Sequence, residues 1–434
     1  MYNTIKQKIK SIMPKPLWNL LKIIKRPYLR AFDKKKTKLI IKKVHSHYSE
    51  IERKLKNRGD SPIRFACYVM YAADFGESEI FSIMKEDKDF SPKIVVIPDI
   101  ARGKKHMEKI YHETKDFLLS KFGQEYVLDG YDEKSDTYFD YSDSFDIIAL
   151  NNPYSEMAHK YHSVEYLSTK NVLPFYAVYG FFSTNYSERA IFPRLSFSLL
   201  WKVFLDTKYT LDSCKKHSIY HGKNAVAFGY AKMDSLSKYE EEKKTKKRII
   251  LSPHHTVNVT ALPLSNFLSY YDLILELPDL FPEVDFVFRP HPLLFTNLIN
   301  YKYWSEQQVA DYIDTLQKKG IAYSHGGDYF DLFANSDAIV HDCGSYITEW
   351  LFTGKPCCFV AKDNSIFKFF TALGNECIKH YTVAYSRQQI IDFIKNIVEE
   401  KFQTNYKDDK TLKQNVFMNY PNTSQKMVDY LRFR

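Results

Sequence analysis

The sequence predicts an α/β chain that folds as two doubly wound parallel sheets, one in each half. The chain has 434 residues, more than one ordinary hydrophobic core supports, so two domains are expected. In both halves, short apolar runs alternate with stretches of helical spacing, a pattern typical of parallel sheets covered by helices. The charged run Glu240–Arg248 contains no apolar residue and separates the two series. These observations together predict two domains joined by a charged linker.

The first domain is predicted over residues 59–235, and the charged linker over residues 236–248. The strands of the first domain are predicted from short apolar runs, and its helices from the stretches with a 3.6-residue period between them. The segment Val226–Asp234 is expected to be the last strand and the exit turn of this domain. The predicted strands are Ile63–Met70, Lys93–Pro98, Phe145–Leu150 and Val172–Val178, and the predicted helices lie near Glu77–Lys85, Met107–Phe122 and Met157–Thr169.

The second domain is predicted over residues 249–400, and a tail at 401–434 contains a helix that can cross back to the first domain. Two Rossmann-type domains in one chain are the architecture of many nucleotide-sugar transferases, although a fold alone gives no function. The predicted strands are Ile249–Leu251, Val284–Phe288, Ile321–Tyr323, Ala338–Val340 and Cys357–Val360, and the predicted helices lie near Ser305–Lys319, Tyr329–Asn335, Tyr346–Phe352 and Gln388–Glu400.

The N-terminal 58 residues differ from the rest of the chain in charge. Residues 1–56 contain 17 Lys/Arg and three acids, a formal charge of +14, which leaves −4 for the rest of a chain whose total is +10. Apolar residues at helical spacing, Trp18 among them, alternate with these lysines and predict a basic amphipathic helix on an anionic membrane surface. The alternative is a solvated helix that packs its apolar stripe on the body of the protein. Nucleic-acid binding is disfavoured because no fold-level motif for it follows.

The composition also predicts where the protein works. The sequence contains no run of 18 apolar residues, so no membrane-spanning segment is expected. Six cysteines are scattered without a CxxC pair, which favours a reducing compartment with free thiols over a disulfide frame or a zinc site. The expected location is therefore the cytoplasmic face of the cell membrane, where the basic arm holds the protein peripherally.

Three polar turns each follow directly after a predicted strand: SPHHT at 252–256, RPHP at 289–292 and HDCGS at 341–345. In an open parallel sheet such turns share one edge, where ligands bind, so these turns are expected to converge. His254 and His255 are each more typical of structural histidines. His291 is favoured as functional, because prolines on both sides fix its backbone and Arg289 is two residues away. No histidine spacing matches a known ligand set, so neither a metal nor another cofactor is predicted.

The third turn opens a predicted helix and suits an anion. Gly344 and Ser345 follow a strand and precede a helix, which presents free backbone N–H groups and the positive end of the helix dipole. The sequence has no GxGxxG motif and no Walker loop, so this turn is the predicted phosphate binder. The Ser345 hydroxyl can cap the helix, donate to a phosphate oxygen, or do both. Glu349 lies four residues on, on the same helix face, and faces either ribose hydroxyls or solvent.

These motifs carry a resemblance to a known family. RPHP followed by a short helix and SDAIVHDCGSYITEWLFTGKP, together with SPHHT and the GYAKMD segment at 229–234, resembles the CDP-glycerol glycerophosphotransferase family. That family builds teichoic acids and polyol-phosphate capsules, and the resemblance covers residues 224–356. It implies a GT-B-like fold, a CDP-glycerol or related donor, no metal, and a lipid-linked glycan or polyol-phosphate acceptor at the membrane.

The resemblance implies a transfer in which an acceptor hydroxyl attacks the β-phosphorus of the donor and CMP leaves. The predicted proton-transfer residue is His291, with His255 next and His254 and His341 in reserve, because a histidine titrating near neutrality suits this role. The predicted donor-binding residues are Arg289, His254, His341, Asp342, Gly344, Ser345 and Glu349.

One departure from the family leaves alternatives open. Family members carry a His-Gly pair in the first domain that is thought to supply the general base, and here Tyr179 precedes Gly180 at the corresponding place. His159 and His162 are the nearest substitutes in the sequence. The alternatives are a capsule glycosyltransferase that uses a CMP- or UDP-sugar, and a non-catalytic membrane scaffold of a capsule assembly complex.

Overall fold

The computed structural model describes residues 15–72, 75–76, 78–152, 154–326, 329–402, 404 and 406–433. Side chains are described from residue 34 onward within these ranges, that of residue 407 excepted. The apolar residues that predict the membrane-binding part of the arm, from Ile5 to Ile24, therefore lie outside the described side chains. No helix in the described part of the chain has both the length and the apolar content that a membrane span requires.

The first domain is built on a seven-stranded parallel sheet in the order β3-β2-β1-β6-β7-β8-β9. Its central strands are buried on both faces, which is why they are continuous apolar runs instead of alternating ones. A short antiparallel pair, β4 and β5, lies outside this sheet. The strands are β1 Ile63–Val69, β2 Phe90–Val96, β3 Val127–Asp129, β4 Tyr131–Asp132, β5 Thr137–Tyr138, β6 Ile147–Leu150, β7 Leu173–Ala177, β8 Lys202–Leu205 and β9 Ala225–Ala227.

The second domain has a six-stranded parallel sheet in the order β12-β11-β10-β13-β14-β15. Both sheets have helices on their faces, so the predicted α/β class with two doubly wound domains is confirmed. The strands are β10 Lys247–Ser252, β11 Val284–Phe288, β12 Ala322–Tyr323, β13 Ala338–His341, β14 Cys357–Val360 and β15 Thr382–Ala384.

The helices that cover the sheets are α1 Lys15–Lys56, α2 Ser78–Lys85, α3 Lys104–Phe122, α4 Val164–Leu167, α5 Tyr186–Ala190, α6 Leu195–Leu199, α7 Lys208–His217, α8 Tyr271–Leu280, α9 Leu294–Asn300, α10 Glu306–Lys318, α11 Phe330–Ala334, α12 Tyr346–Glu349, α13 Ala372–Ile378, α14 Arg387–Val398, α15 Lys410–Asn415 and α16 Thr423–Leu431. Most of the predicted helices are present. The one predicted at Met157–Thr169 is instead two 3₁₀ turns followed by α4, because the side chains of His159 and Ser163 each cap a new turn.

The last turns of α1 belong to the first domain, although the sequence predicts residues 1–58 as a separate arm. Ile41, Tyr48, Ile51 and Leu55 lie on one face of the helix and are buried in the cores of that domain. Full burial of such side chains stabilises a fold by about 1.5–3 kcal/mol each. The Tyr48 hydroxyl also donates to the Leu199 carbonyl oxygen at 2.7 Å. The packed-stripe alternative therefore holds for this part of the helix.

The C-terminal helix α16 crosses back to the first domain. Its apolar residues Met427, Val428 and Leu431 are buried in the same core as the strands β1 and β2. Beyond the helix, the Arg432 guanidinium lies 2.8 Å from Asp87 and 2.7 Å from Asp89. The chain thus passes from the first domain to the second and returns to the first.

Candidate functional site

The three polar turns lie together at the carboxyl edge of the second sheet, because β10 pairs with β11 on one side and β13 on the other. Ser252, the last residue of β10, is in register with His341 of β13. Its hydroxyl donates to the Arg289 carbonyl oxygen at 2.6 Å. The His291 amide donates to the Pro253 carbonyl oxygen at 3.0 Å. The structure therefore brings SPHHT, RPHP and HDCGS into contact.

His341 and Asp342 lie behind this edge, which corrects the prediction that their side chains contact the donor. Both are fully buried, and neither lines the cleft described below. The Asp342 carboxylate accepts the backbone N–H groups of His254 and Asn266, each at 2.5 Å, so it holds two loops in place. Burial raises the pKa of Asp342 to about 7. The two N–H groups favour the ionised carboxylate and therefore oppose this rise. Burial lowers the pKa of His341 to about 3.

His254, His255 and His291 form a compact group, which we call the histidine cluster. The ring centroids are 4.4 Å apart for His254 and His255, 5.2 Å for His254 and His291, and 4.0 Å for His255 and His291. Burial lowers the pKa of all three, and the neighbouring rings lower the pKa of His254 and His291 further, that of His291 to about 3. The cluster is therefore neutral at physiological pH.

A hydrogen-bond donor faces the Nδ1 atom of each ring in the histidine cluster. The donors are the Thr256 hydroxyl to His254 at 2.9 Å, the Asn297 amide to His255 at 3.1 Å, and the Leu293 backbone N–H to His291 at 3.1 Å. The Thr256 oxygen itself accepts two backbone N–H groups, which directs its proton to the ring. This network assigns the neutral tautomer with the proton on Nε2 to each ring.

The tautomers decide what the cluster can bind. Ring nitrogens of the three histidines lie within 4.8 Å of one another, a spacing that could suit a metal ion. A histidine that ligates a metal through one nitrogen normally donates its other N–H to an acceptor. Here each Nδ1 faces a donor instead, so each Nε2 carries a proton. The arrangement fits an anion held by N–H groups and does not fit a metal.

A cleft of about 360 Å³ separates the two domains at this edge. The second domain lines it with His254, His291, Gly344, Ser345, Glu349 and Tyr329, together with the loop residues Leu262 and Leu264. The first domain lines it with Tyr154, Tyr179, Gly180, Phe181, Phe182, Thr184, Tyr186, Ser187 and Ile191, and the segment after β9 adds Tyr230 and Lys232. Of the predicted site residues, five therefore face the cleft, and His255 lies against His291 without lining it.

Ser345 is exposed and occupies the N-cap position of α12, but its side chain makes no capping hydrogen bond. The capping alternative is therefore wrong, and the hydroxyl can bond to a ligand. Gly344 lies beside it between the two domains. A Cβ atom at Gly344 would stand 3.3 Å from a Leu264 methyl group and 3.4 Å from a Thr184 methyl group. A side chain at this position would narrow the cleft.

Glu349 lies at the floor of the cleft and is 2% exposed. The Tyr329 hydroxyl donates to its carboxylate at 2.7 Å. Burial raises the pKa of Glu349, while Lys232 and the Tyr329 hydroxyl oppose the shift. The Lys232 ammonium lies 4.8 Å from the centre of the Tyr329 ring. This arrangement excludes a solvent-facing role for Glu349.

The side chains of Arg289 and Lys232 both lie near the Tyr329 ring, but their surroundings differ. The Arg289 guanidinium is buried and donates to the Ser324 hydroxyl at 2.6 Å and to the Gly326 carbonyl oxygen at 2.9 Å, so it fixes that loop. Lys232 instead lines the cleft. Sequence reasoning assigned no role to Lys232, although the GYAKMD motif that contains it was the available signal.

Tyr179 occupies the first-domain side of the cleft, where the resemblance would place a histidine. Burial, together with the neighbouring Tyr179 and Tyr186, raises the pKa of Tyr154, so the three tyrosines form a group. His159 and His162 do not reach the cleft. The His159 ring stacks on Tyr138 at 3.8 Å. The buried His162 donates to a backbone carbonyl oxygen at 3.0 Å, and burial lowers its pKa to about 4.

No family model and no curated protein sequence matches the chain. Solved structures do resemble it. The UDP-GlcNAc 2-epimerase from Neisseria meningitidis bound to UDP-GlcNAc has a TM-score of 0.55 and 14% identity, and the match covers 85% of this chain and 99% of that one. The wall teichoic acid polymerase TagF, a variant soaked with CDPG, has a TM-score of 0.53 and 13% identity over 92% and 97%.

A third resemblance is to the UDP-GlcNAc 2-epimerase of Methanocaldococcus jannaschii in complex with UDP-GlcNAc and UDP, with a TM-score of 0.53 and 13% identity over 86% of this chain and 100% of that one. At these identities the similarities show the fold alone. The chain therefore has a GT-B-like fold of two Rossmann-type domains, as predicted.

Proposed function

We propose that this protein is a transferase that moves glycerol phosphate, or a related polyol phosphate, from a CDP-activated donor to an acceptor of cell-surface polymer synthesis. The observation that carries the proposal is the histidine cluster, two of whose members, His254 and His291, line a cleft of nucleotide size. Lys232 and the uncapped Ser345 hydroxyl line the same cleft. N–H groups, an ammonium and a hydroxyl are the groups that bind a diphosphate.

The chemistry follows from these positions. The acceptor hydroxyl attacks the β-phosphorus, and CMP leaves with the bridging oxygen. Negative charge grows on the leaving phosphate, and each preorganised donor aimed at such charge typically contributes about 2–4 kcal/mol. His254, Lys232 and Ser345 supply those donors, and Glu349 binds the ribose hydroxyls at the cleft floor.

His291 remains our first candidate for proton transfer, with His255 packed against it. Its ring is neutral in the free protein, because burial and His255 lower its pKa. A bound diphosphate supplies negative charge near the ring, which raises the pKa of an imidazole. His291 can then give a proton to the leaving phosphate, while the acceptor hydroxyl loses its proton to solvent.

The donor class is tested by measuring binding and hydrolysis with CDP-glycerol, CDP-ribitol, CMP-Kdo and UDP-GlcNAc. We expect the two CDP-polyols to bind and to release CMP. Preference for CMP-Kdo or UDP-GlcNAc would favour the second candidate, a nucleotide-sugar glycosyltransferase, which the structural resemblance to proteins solved with UDP-GlcNAc supports. Failure of all four to bind would favour a non-catalytic scaffold of a capsule assembly complex.

We further propose that the protein binds the cytoplasmic face of the membrane through α1. Leu39 is 68% exposed and Ile40 is 40% exposed, and lysines surround them at positions 34–36, 38, 42 and 43. Exposed apolar residues among lysines suit an anionic lipid surface. Deletion of the whole predicted arm would remove Ile41 to Leu55 from the core, so point changes are the better test.

Leu39→Glu should release the protein from vesicles that contain anionic lipid, by at least about 10-fold in partition coefficient. The matched control is Leu280→Glu, at a residue that is 49% exposed on the second domain. Sedimentation with vesicles at low salt measures both. Equal binding of the two variants would remove this face of α1 as the anchor.

A further inference from the structure

One stretch of the first domain, residues 182–185, is hydrogen-bonded to the second domain, and we call it the strap. Thr184 of the strap lines the cleft and pairs with Phe370 in an isolated antiparallel bridge. The Asn185 amide donates to the Phe369 carbonyl oxygen at 2.8 Å. The strap therefore belongs to the first domain by its place in the sequence and to the second domain by its hydrogen bonds.

Phe182, the first residue of the strap, is held from both domains. Its N–H donates to the Asp206 carboxylate at 2.9 Å, and Asp206 is fully buried directly after β8 of the first domain. Its carbonyl oxygen accepts the Thr371 hydroxyl at 2.8 Å, and Thr371 caps α13 of the second domain. Interfaces between the domains of one chain commonly allow relative motion. Here one residue is bonded to buried groups on both sides, which restricts opening of the cleft at this point.

The next residue of the strap is bonded to the helix that faces the donor. The hydroxyls of Ser183 and Thr348 are 2.8 Å apart, and both residues are fully buried. Thr348 lies on α12 between Ser345 and Glu349, which line the cleft. A hydrogen bond in such a buried position is stronger than one in water. The Ser183–Thr348 pair therefore fixes the first-domain wall of the cleft relative to α12.

A glycine permits the close approach of the strap to the second domain. A Cβ atom added at Gly374 on α13 would stand 2.2 Å from the Ser183 carbonyl oxygen, closer than Cβ atoms come to backbone atoms in folded proteins. Any other residue at this position would push the strap away. Glycine weakens a helix relative to alanine, so the contact with the strap gives a physical reason for its place in α13.

We infer that Ser183 and Thr348 are positioning residues that hold the cleft at the width of this structure before a donor arrives. This inference rests on the proposed function for the identity of the donor and adds how its binding is prepared. A cleft that already has the right width orders fewer groups on binding, so a smaller entropy cost opposes the donor. Release of the strap would leave only a fraction of the molecules competent, and the apparent donor affinity would fall by that fraction.

Two substitutions at Thr348 test the hydroxyl pair. Thr348→Val removes the hydroxyl and keeps the shape of the side chain, whereas Thr348→Ser keeps the hydroxyl and is the matched control. We expect Thr348→Val to raise the KM for CDP-glycerol by about 10-fold with kcat within about twofold of normal, because saturating donor still selects the competent width. Thr348→Ser should retain a nearly normal KM.

Ser183→Ala tests the same pair from the first domain. Thr348 then keeps its contact with the Cys377 Sγ atom at 3.3 Å, so the substitution leaves no buried hydroxyl without a partner. The donor KM should rise as in Thr348→Val. A lower kcat with an unchanged KM in both variants would mean that the pair supports only folding, and it would overturn the inference, as would normal values of both constants.

Gly374→Ala tests the width of the cleft without any substrate. Spin labels at Lys160→Cys and Tyr303→Cys, two exposed sites on different domains, report the interdomain distance by double electron–electron resonance. The six native cysteines are buried, so the labels attach to the introduced ones. We expect Gly374→Ala to lengthen or broaden the distance distribution. The control Gly76→Ala, whose Cβ atom would have no neighbour closer than 3.8 Å, should leave it unchanged.

The distance measurement separates failure of this inference from failure of the proposed function. Equal distributions in Gly374→Ala and in the unaltered protein would contradict a strap that sets the width of the cleft. A distribution that responds to Gly374→Ala, in a protein that binds no CDP-glycerol in calorimetry, would contradict the proposed function alone.

Discussion

The two walls of the cleft, one contributed by each domain, are built by different rules. On the second domain, residues directly after three adjacent strands bear the chemistry, and their positions follow from the register of β10, β11 and β13. On the first domain, aromatic residues in loops form a neutral surface. A titratable wall suits a substrate whose charge changes during reaction, and a neutral wall suits one whose charge does not.

The largest expected effect separates the two walls. His291→Ala should lower kcat by about 100-fold or more, because it removes a donor from the reacting phosphates. Tyr179→Phe should raise the acceptor KM by less than about 10-fold with kcat nearly unchanged, since it removes one neutral hydroxyl. Steady-state kinetics measure both.

The control for His291 is His112→Ala, an exposed histidine paired with Glu133 on the first domain. Its activity should equal that of the unaltered protein. Normal kcat in His291→Ala, or a loss of kcat in Tyr179→Phe as large as that in His291→Ala, would contradict the proposal that the second-domain wall acts in the reaction and the first-domain wall only in binding.

Lys232, which lines the cleft on the segment after β9, is expected to have the next largest effect. Lys232→Ala should lower kcat/KM for the donor by about 30- to 100-fold, the loss of one charge-assisted contact to phosphate. Lys232→Arg should retain part of the kcat/KM that Lys232→Ala loses. The control Lys238→Ala removes a lysine whose partner is Glu79 on the surface. Equal losses of kcat/KM in Lys232→Ala and Lys238→Ala would show that the positive charge of this segment, and not a contact between Lys232 and phosphate, determines donor use.

Asp342→Asn tests whether the second wall depends on its buried support. The carboxylate accepts two N–H groups, and an Asn side chain would place its own N–H groups against one of them. The expected loss in the free energy of unfolding is about 1–3 kcal/mol. Urea denaturation measures it, and Asp331→Asn, on the short helix α11, is the control. A variant as stable as the unaltered protein would mean that Asp342 does not hold the loops.

Sequence reasoning predicted the second wall better than the first for a physical reason. The convergence of SPHHT, RPHP and HDCGS follows from one rule about parallel sheets. The burial of His341 and Asp342 does not, because it depends on the loops at His254 and Asn266 that close over this strand end, and the sequence does not show where those loops lie. The short strands β3, β8 and β15 were also missed, since runs of three or four residues have no clear period.

The first-domain wall of the cleft could not be predicted from the sequence. Tyr154, Tyr179 and Tyr186 are spread over three loop or helix-end positions, and no period or motif links them. Aromatic residues in loops usually reflect packing, so only their common exposure to the cleft marks these three. The role of Lys232 was not predicted for a related reason, because its position depends on how the chain crosses from one domain to the other.

The smallest expected effect is a pH dependence of donor binding that only the titratable wall can produce. Burial and His255 lower the pKa of His291 to about 3 in the free protein. A bound diphosphate raises that pKa, so the complex holds more protons than the free protein between pH 3 and the pKa in the complex. Donor affinity should therefore rise as the pH falls through this window.

Calorimetry with CDP-glycerol at pH 6.5, in two buffers of different ionisation enthalpy, measures the protons taken up. We expect net uptake of a fraction of a proton, which His291→Ala reduces, and an affinity gain of up to about 10-fold per proton per pH unit. Binding of an uncharged aryl glycoside should show no such uptake, because it brings no negative charge to the histidine cluster. Proton release on donor binding, or equal uptake with donor and with acceptor, would contradict the contrast between the walls.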